Sequence, residues 1–430
     1  MNVCMVVYSF YEVDTRVMQY ANALAGRGDT VDVLALGLPG QPRHESIGGV
    51  HVHRIQARRV NERTRFAYLW RLLRFLVLSC LVLSWKHFVK RYKLVHIHNV
   101  PDFLVFSALV LRLCGTPVIL DIHDLMPEMY ADKFSVSRDS LAFKALLGVE
   151  RISISFSTHT IIANDIWHER LLSRSVHAGK LTTIRNYPDP QIFHSYPTVA
   201  QNGKFLILYP GSLNWYQGVD VAVKAFARVA AQMPGAEFHI YGEGPSRPAL
   251  MDLAKNLDLG DRVRFCGYVP AADIARVMSS ADLAIEPKQA RSHFANEASS
   301  TKILEFMAVD VPLLVSRTSI HAHYFDDSVV KFFNPSDDAE LASHILFLYR
   351  NPNVRQQLVA NAARYVARNN WNVKKQDYLA LVDRLVDPHQ PQKTARMKEN
   401  GHSAPSGQTS DSPVSVGTGR PSVRPDSADA

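Results

Sequence analysis

The chain has 430 residues, of which 47% are apolar, 20% charged and 10% aromatic. That composition builds full hydrophobic cores, and it excludes a small disulfide-stapled scaffold, a collagenous chain and a wholly disordered one. The formal net charge of +8 invites a nucleic-acid partner, but its distribution argues against one: eleven Lys or Arg lie between Arg54 and Lys93 against the single acid Glu62, leaving the rest close to neutral.

The start, "MNVCMVVYS", has no basic leader and reads as a first strand, not as a secretory signal. Apolar strand candidates then follow at Val3–Val7, Thr30–Leu36, Val50–Ile55, Leu94–His98, Val118–Ile122, His159–Ala163 and Leu181–Arg185. Helical stretches at Thr15–Ala25, Asp102–Leu113, Ser140–Ser157 and Asp165–Ser173 separate several of them. Continuous apolar strands alternating with helices predict a parallel sheet covered on both faces. Asn186 to Lys204 is rich in Pro and Asn and reads as a linker. A second alternation begins at Phe205–Tyr209. It continues through strands at Glu237–Tyr241, Val263–Cys266, Asp282–Glu286, Pro312–Ser316 and Val329–Phe332, and ends in helices at Val354–Arg368 and Lys374–Leu385. The predicted fold class is α/β, with two doubly wound Rossmann-like domains facing across a cleft. The expected boundaries are 1–195, 204–370, a crossing segment 371–387, and a disordered tail 388–430 rich in Ser, Pro and Gly. Cys4, Cys80, Cys114 and Cys266 are far apart, so buried free thiols in a reducing cytoplasm are expected.

The basic segment contains an apolar run of eleven residues, Phe75 to Trp85. As a helix it covers roughly 17 Å, against about 30 Å of hydrocarbon, so it does not span a bilayer. The expectation is a helix within 66–93 that dips into one leaflet, with cations at anionic headgroups and Trp70 and Trp85 near the interface. A buried domain helix flanked by solvated cations is the alternative.

Four motifs bear on chemistry. In "YPGSLNWYQGVDVAVKAF" a strand ends at Gly211 and a helix starts near Gly218, and backbone N–H groups at such a start attract anions. In "HIYGEGPSRPAL", Gly242 and Gly244 follow a strand, so the backbone is free to approach a nucleotide, although the full dinucleotide fingerprint is absent. In "NEASSTKILEFMAVDVP", seven residues separate Glu297 from Glu305. A helix starting near Thr301 leaves Glu297 in the loop before it; one carboxylate then meets a sugar, the other accepts from ribose hydroxyls, and Lys302 faces a diphosphate. In "VILDIHDLMPE", His123 follows a strand beside Asp121, Asp124 and Glu128, and His98 ends another strand near the same cleft. Ordinary turns, a solvated helix face and a structural histidine are the plain alternatives. No Asp-x-Asp, Walker, His-Glu-x-x-His or Gly-x-Ser-x-Gly motif is present, and the histidines show no metal-ligand spacing.

In this order and spacing the motifs resemble the family-4 retaining glycosyltransferases of the GT-B fold, over nearly all of Met1 to Asp387. "YGEGPSRPAL", "VRFCGYVPAADIARVMSSADLAIEP" and "EASSTKILEFMA" are the most specific parts, with "IRNYPDPQIF", "DIHDLMPE" and "VHIHNVPD" as further matches. The resemblance implies sugar transfer from a nucleotide-sugar, with retention and without a bound metal or other cofactor. It implies a first domain for the acceptor, a second for the donor, and a C-terminal helix crossing back. His123 and Glu297 become the expected catalytic residues, Gly211, Ser212, Gln217, Gly242, Gly244, Lys302 and Glu305 the donor side, and Asp14, Arg16 and His98 the acceptor side. The sequence departs from the family in one important place. Ser212 and Gln217 stand where many members have Arg and Lys. Lys302 and a helix N-terminus are then expected to meet the diphosphate, helped by Arg16, Lys288 or Arg291. The functional expectation is hexosyl or N-acetylhexosaminyl transfer to a lipid-linked saccharide on the inner membrane face, in polysaccharide or glycolipid assembly. Another enzyme of this fold, such as a nucleotide-sugar epimerase, and a non-catalytic membrane scaffold are the alternatives.

Overall fold

The computed structural model describes residues 1–58, 65–197 and 203–387. The expected tail lies outside these residues, as do Arg59, Glu62 and Arg63 of the basic segment and positions 198–202 of the linker.

In chain order the first half contains β1 (Asn2–Phe10), α1 (Thr15–Gly26), β2 (Thr30–Gly37), β3 (His44–Ile47), β4 (Val50–Ala57), α2 (Arg65–Lys90), β5 (Leu94–His98), α3 (Leu109–Leu113), β6 (Val118–Ile122), α4 (Met126–Phe134), α5 (Leu141–Phe156), β7 (His159–Ile162), α6 (Asp165–Arg174) and β8 (Leu181–Thr183). The second contains β9 (Phe205–Pro210), α7 (Val219–Val229), β10 (Ala236–Tyr241), α8 (Arg247–Asn256), β11 (Val263–Gly267), α9 (Ala271–Ser279), β12 (Leu283–Glu286), α10 (His293–Glu297), α11 (Thr301–Ala308), β13 (Leu313–Ser316), α12 (Ser319–Tyr324), β14 (Lys331–Phe333), α13 (Asp338–Arg350), α14 (Pro352–Arg368) and α15 (Trp371–Val386). The first sheet has the order β3-β4-β2-β1-β5-β6-β7-β8 and the second β11-β10-β9-β12-β13-β14. Among the described strands only β3 with β4 pairs antiparallel. The central strands are buried throughout because helices cover both faces: Val3 to Val7 and Leu94 to His98 are buried without a break. The architecture is thus the doubly wound pair that the alternation predicts.

α15 leaves the second sheet and packs on α1 of the first. Trp371, Tyr378, Leu381 and Val382 are buried there. The Tyr378 ring lies 4.2 Å from that of Tyr20, and its hydroxyl is 3.0 Å from His96 Nδ1. Two cysteines depart from expectation: Cys114 and Cys266 are exposed, while all four are free thiols.

α2 is one continuous helix, longer than the apolar run that announced it. Leu72, Phe75, Ser79 and Leu83 are buried. Their spacing of three and four residues makes one face, and it packs on β1 and on the 3-10 helix Asp102–Ala108. Trp70, Leu73, Val77, Leu81, Trp85 and Phe88 form a second stripe, and it is exposed. The sequence shows no clean face because both stripes are apolar. By length and mean hydropathy Tyr68–Lys90 is able to cross a membrane, but the buried stripe ties it to the sheet. Two of the cations expected at headgroups are engaged inside the protein. Lys90 Nζ lies 2.7 and 2.9 Å from the Asp32 carboxylate, and Lys86 reaches toward it at 3.9 Å. Burial pushes the Asp32 carboxyl up, but hydrogen bonds from His53, Lys90 and Tyr92 hold it well below the usual range. Those two lysines fix α2 to β2, whereas Arg74, Arg91 and Lys93 remain exposed.

Candidate active site

At the carboxyl end of the first sheet, Asp121 lies near the end of β6 and His123 directly follows the strand. Asp121 is completely buried. Its oxygens accept from Arg16 Nη2 at 2.6 Å and Nε at 2.8 Å, and Oδ2 lies 2.9 Å from His123 Nε2 and 3.1 Å from His98 Nδ1. Burial pushes the Asp121 carboxyl up, but Arg16 and His123 hold it well below the usual range. Arg16 also donates to the Ile184 carbonyl and to Asn186 Oδ1, both at 2.8 Å. Asn99 fixes the next loop: its Oδ1 accepts from the His123 N–H, and its Nδ2 donates to Asp102 and to the Asp124 carbonyl. His96, His98 and Asp121 also form a compact set of metal-ligand types. The Arg16 guanidinium already contacts both oxygens of that Asp121.

At the carboxyl end of the second sheet, three loops interlock. The 211–217 loop follows β9. Lys302, in the first turn of α11, sets Nζ 3.3 Å from the Tyr209 hydroxyl, 3.4 Å from Gln217 Oε1 and 2.8 Å from Glu286 Oε2. Burial pushes the Lys302 ammonium down, but Glu286 more than reverses this and raises it above the usual lysine range. The Ser212 hydroxyl accepts from Asn214 Nδ2 at 3.1 Å and Gln217 Nε2 at 3.4 Å. Gly242 and Gly244, expected against a nucleotide, pack closely on this loop. A Cβ on Gly242 would stand 1.9 Å from the Gly211 carbonyl, and one on Gly244 2.5 Å from that of Leu213. Their smallness therefore serves loop-on-loop packing.

Glu297 closes the short helix α10, capped by Ser292 at 2.9 Å, so it does not lie in the preceding loop. Its Oε1 accepts from Arg170 of α6, its Oε2 is buried without a partner, and its carbonyl accepts from Asn164 Nδ2 at 3.2 Å. Trp167 stacks on Phe294 with centroids 5.9 Å apart, and the Asp165 N–H donates to the Tyr324 hydroxyl at 2.8 Å. These contacts bring the two sheet ends face to face. The Ser299 and Ser300 hydroxyls before α11 are also buried and unpartnered. Glu305 is partly exposed, yet its carboxyl is enclosed, and burial pushes it up to about 7. Lys288 is buried and donates to the Ala298 carbonyl; burial pushes it down to about 8.

The structure thus gathers Gly211, Ser212, Gln217, Lys302, Glu305 and Glu297 at one sheet end, with His123 at the other. It assigns different places to the acceptor-side residues. Arg16 and His98 are buried beneath Asp121, and Asp14 caps α1 by accepting from the Val17 N–H at 3.2 Å. Arg16 is therefore not free for a diphosphate; Arg291 is exposed. Two residues of the site had no place in the sequence reading. Glu286 carries a signal, a charge ending an apolar strand. Arg170 carries none, because it arrives from the other half of the chain.

Residues 193–365 match the family model of the glycosyl transferases group 1, and residues 12–187 match the glycosyl transferase 4-like domain. The amylovoran biosynthesis glycosyltransferase AmsK of Erwinia amylovora is 26% identical over 224 residues, 51% of this chain and 55% of that protein. The phosphatidylinositol N-acetylglucosaminyltransferase gpi3 subunit of Schizosaccharomyces pombe is 22% identical over 269 residues, 62% of this chain and 56% of that protein. The chain therefore matches little more than half the length of these two relatives. Among solved structures, sucrose-phosphate synthase of Thermosynechococcus elongatus superposes with a TM-score of 0.73 at 20% identity, covering 90% of this chain and 99% of that one. Anabaena HepE in complex with UDP-glucose superposes with a TM-score of 0.64 at 15% identity, covering 89% and 99%. The two family models meet at the linker and between them take in most of both sheets, and the chain belongs to the group 1 glycosyltransferases of GT-B fold, with a glycosyl transferase 4-like first half.

Proposed function

We propose that this glycosyltransferase moves a hexose or N-acetylhexosamine from a nucleotide-sugar to a lipid-linked saccharide, with retention and without a metal, at the cytoplasmic membrane face. The observation that carries the donor half is Lys302: its ammonium is held against the 211–217 loop at the start of α11, with Glu297 and Glu305 on either side in sequence. In this reading Lys302, the Ser212 hydroxyl and the amides opening α11 receive the diphosphate. Glu305 takes the ribose, and the unpartnered Oε2 of Glu297 takes a hydroxyl of the sugar. His123 stands by the sugar from the first half. An oxocarbenium-like transition state needs charge stabilised on the leaving diphosphate more than it needs a nucleophile. The UDP-glucose complex of HepE supports a nucleotide-sugar as the donor.

A panel of UDP-, GDP- and dTDP-sugars tests the reading by thermal shift. A donor at 100 times its dissociation constant stabilises by about 2.7 kcal/mol. No shift with any of them would sink it and leave the scaffold alternative. Donor affinity should also rise with pH. Ribose hydroxyls donate to an ionised Glu305, whose carboxyl titrates near 7, so binding below that pH must first expel a proton. Affinity measured from pH 5.5 to 8 should therefore climb, and Glu305→Gln should flatten the profile.

The exposed stripe of α2, from Trp70 to Phe88, supports the membrane half, with Arg74, Arg91 and Lys93 exposed alongside. The gpi3 relative, named for a phosphatidylinositol acceptor, is consistent with a lipid. Apolar insertion with electrostatic attraction is how such a helix lies in an interface. The chain should float with vesicles of phosphatidylethanolamine and phosphatidylglycerol. Replacing Trp70, Leu81 and Trp85 together by Glu should abolish flotation while leaving the fold intact, because these side chains face solvent.

A further inference from the structure

Glu286 ends β12 and has no part in the roles above. It is 2% exposed. Burial pushes its carboxyl up, but Lys302 above all pulls it below the usual range, so it is ionised. An ammonium has three N–H donors. Lys302 gives two to the Tyr209 hydroxyl at 3.3 Å and Gln217 Oε1 at 3.4 Å, and its Nζ forms an ion pair with Glu286 Oε2 at 2.8 Å, a carboxylate with no other partner among the described residues. The Nζ also lies 4.4 Å from the centre of the Tyr209 ring. A phosphate oxygen reaching Lys302 competes with these three partners. Two are neutral, and only Glu286 carries the charge that a phosphate brings.

The other polar groups around Glu286 do not take over its task. Lys288 gives its ammonium to the Ala298 carbonyl. His321 has Nδ1 2.8 Å from the Ser316 carbonyl, and burial pushes the ring down to about 4, so it is neutral. Ser212 and Gln217 bring no cation to the loop. The balance between Lys302 and its counter-ion therefore sets the local charge.

We infer that Glu286 is a stand-in for the donor's diphosphate. It holds Lys302 in register while the site is empty, and it competes for that ammonium when a nucleoside diphosphate is bound. Both effects have one origin: a buried ammonium is costly without a counter-ion, and one already paired with Glu286 has less to offer a phosphate. The consequence for turnover is that Glu286 weakens retention of the nucleoside diphosphate product. This inference rests on the reading that the 211–217 loop and Lys302 receive a diphosphate.

The experiment is isothermal titration of the full chain with UDP, GDP and inorganic pyrophosphate, for the wild type, Glu286→Gln, Lys302→Met and the double variant. Glu286→Gln should bind UDP or GDP, and pyrophosphate, about tenfold tighter, a change of about 1.4 kcal/mol. Lys302→Met should bind weaker, and the double variant should match Lys302→Met, because Glu286 acts through the lysine. A merely structural glutamate predicts the opposite sign, since its loss loosens the site. Unchanged or weaker binding by Glu286→Gln overturns the inference. If no variant binds any of the three probes, the donor reading itself fails instead. Should Glu286→Gln not fold, Glu286→Asp keeps the charge but withdraws it by one methylene, and tighter binding is again expected and weaker binding again decisive.

Discussion

Lys302→Met should lower donor turnover by roughly 10²–10³-fold, the loss seen when one preorganised donor to a developing oxyanion is removed. The size follows from what surrounds the residue. Ser212 and Gln217 supply no positive charge, and Lys288 is turned to the Ala298 carbonyl. Lys302 is thus the cation that touches the loop, through Gln217 and Tyr209. Its ammonium is enclosed, where a charge acts more strongly on a neighbouring phosphate than it would in water. Release of nucleoside diphosphate from whichever donor the panel identifies is the measurement. The substitution also leaves Glu286 buried and unpaired, so the Lys302→Met/Glu286→Gln protein separates lost catalysis from lost stability. Should that double variant turn over donor like the wild type, Lys302 has no role in the chemistry.

Asp121→Ala should destabilise the first half by about 3–5 kcal/mol, the usual result of stranding a buried charge. Arg16 is 7% exposed, and its guanidinium meets Asp121 through two nitrogens. Without the carboxylate it keeps only neutral partners, Ile184 and Asn186. His98 and His123 lose the same acceptor. The melting temperature should fall on the order of 10 °C. The effect carries a pH signature. A carboxyl held below its unfolded value contributes fully above that value, near 4, and less as pH falls through its folded value. The gap between the two proteins should therefore be wide at pH 7 and narrow in strong acid. Equal melting temperatures at neutral pH would remove Asp121 from its place at the hub.

Much of the fold is legible in the sequence because a doubly wound sheet writes its strands as mostly apolar runs. β1, β5 and β6 are such runs, interrupted by His96 and His98 in β5 and by Asp121 in β6, and they begin and end close to where the chain suggests. Elements that bury little leave weaker marks. β3 is a four-residue edge strand with three exposed residues, and α12 is six residues started by a Thr318 cap. α4 hides behind Pro127 in its first turn. In α2 the difficulty is reversed, since two apolar stripes on opposite faces overwrite one another. The site divides along a similar line. Residues held by their own strand and its following loop, such as Gly211, Ser212 and His123, announce themselves locally. Arg170 cannot, because its meaning depends on Glu297, far along the chain. Gly242 was visible as a place where backbone comes close, but sequence does not say to what.

The planting of α15 on α1 has a consequence for how the molecule is made. Tyr20 and His96 leave the ribosome long before the aromatic ring that covers them, Tyr378, is translated. The amino-terminal lobe must then wait with an apolar seam uncovered while the whole second lobe is synthesised. Birth order and core completion run in opposite directions here, and the opening half of the polypeptide finishes folding only when its far end arrives.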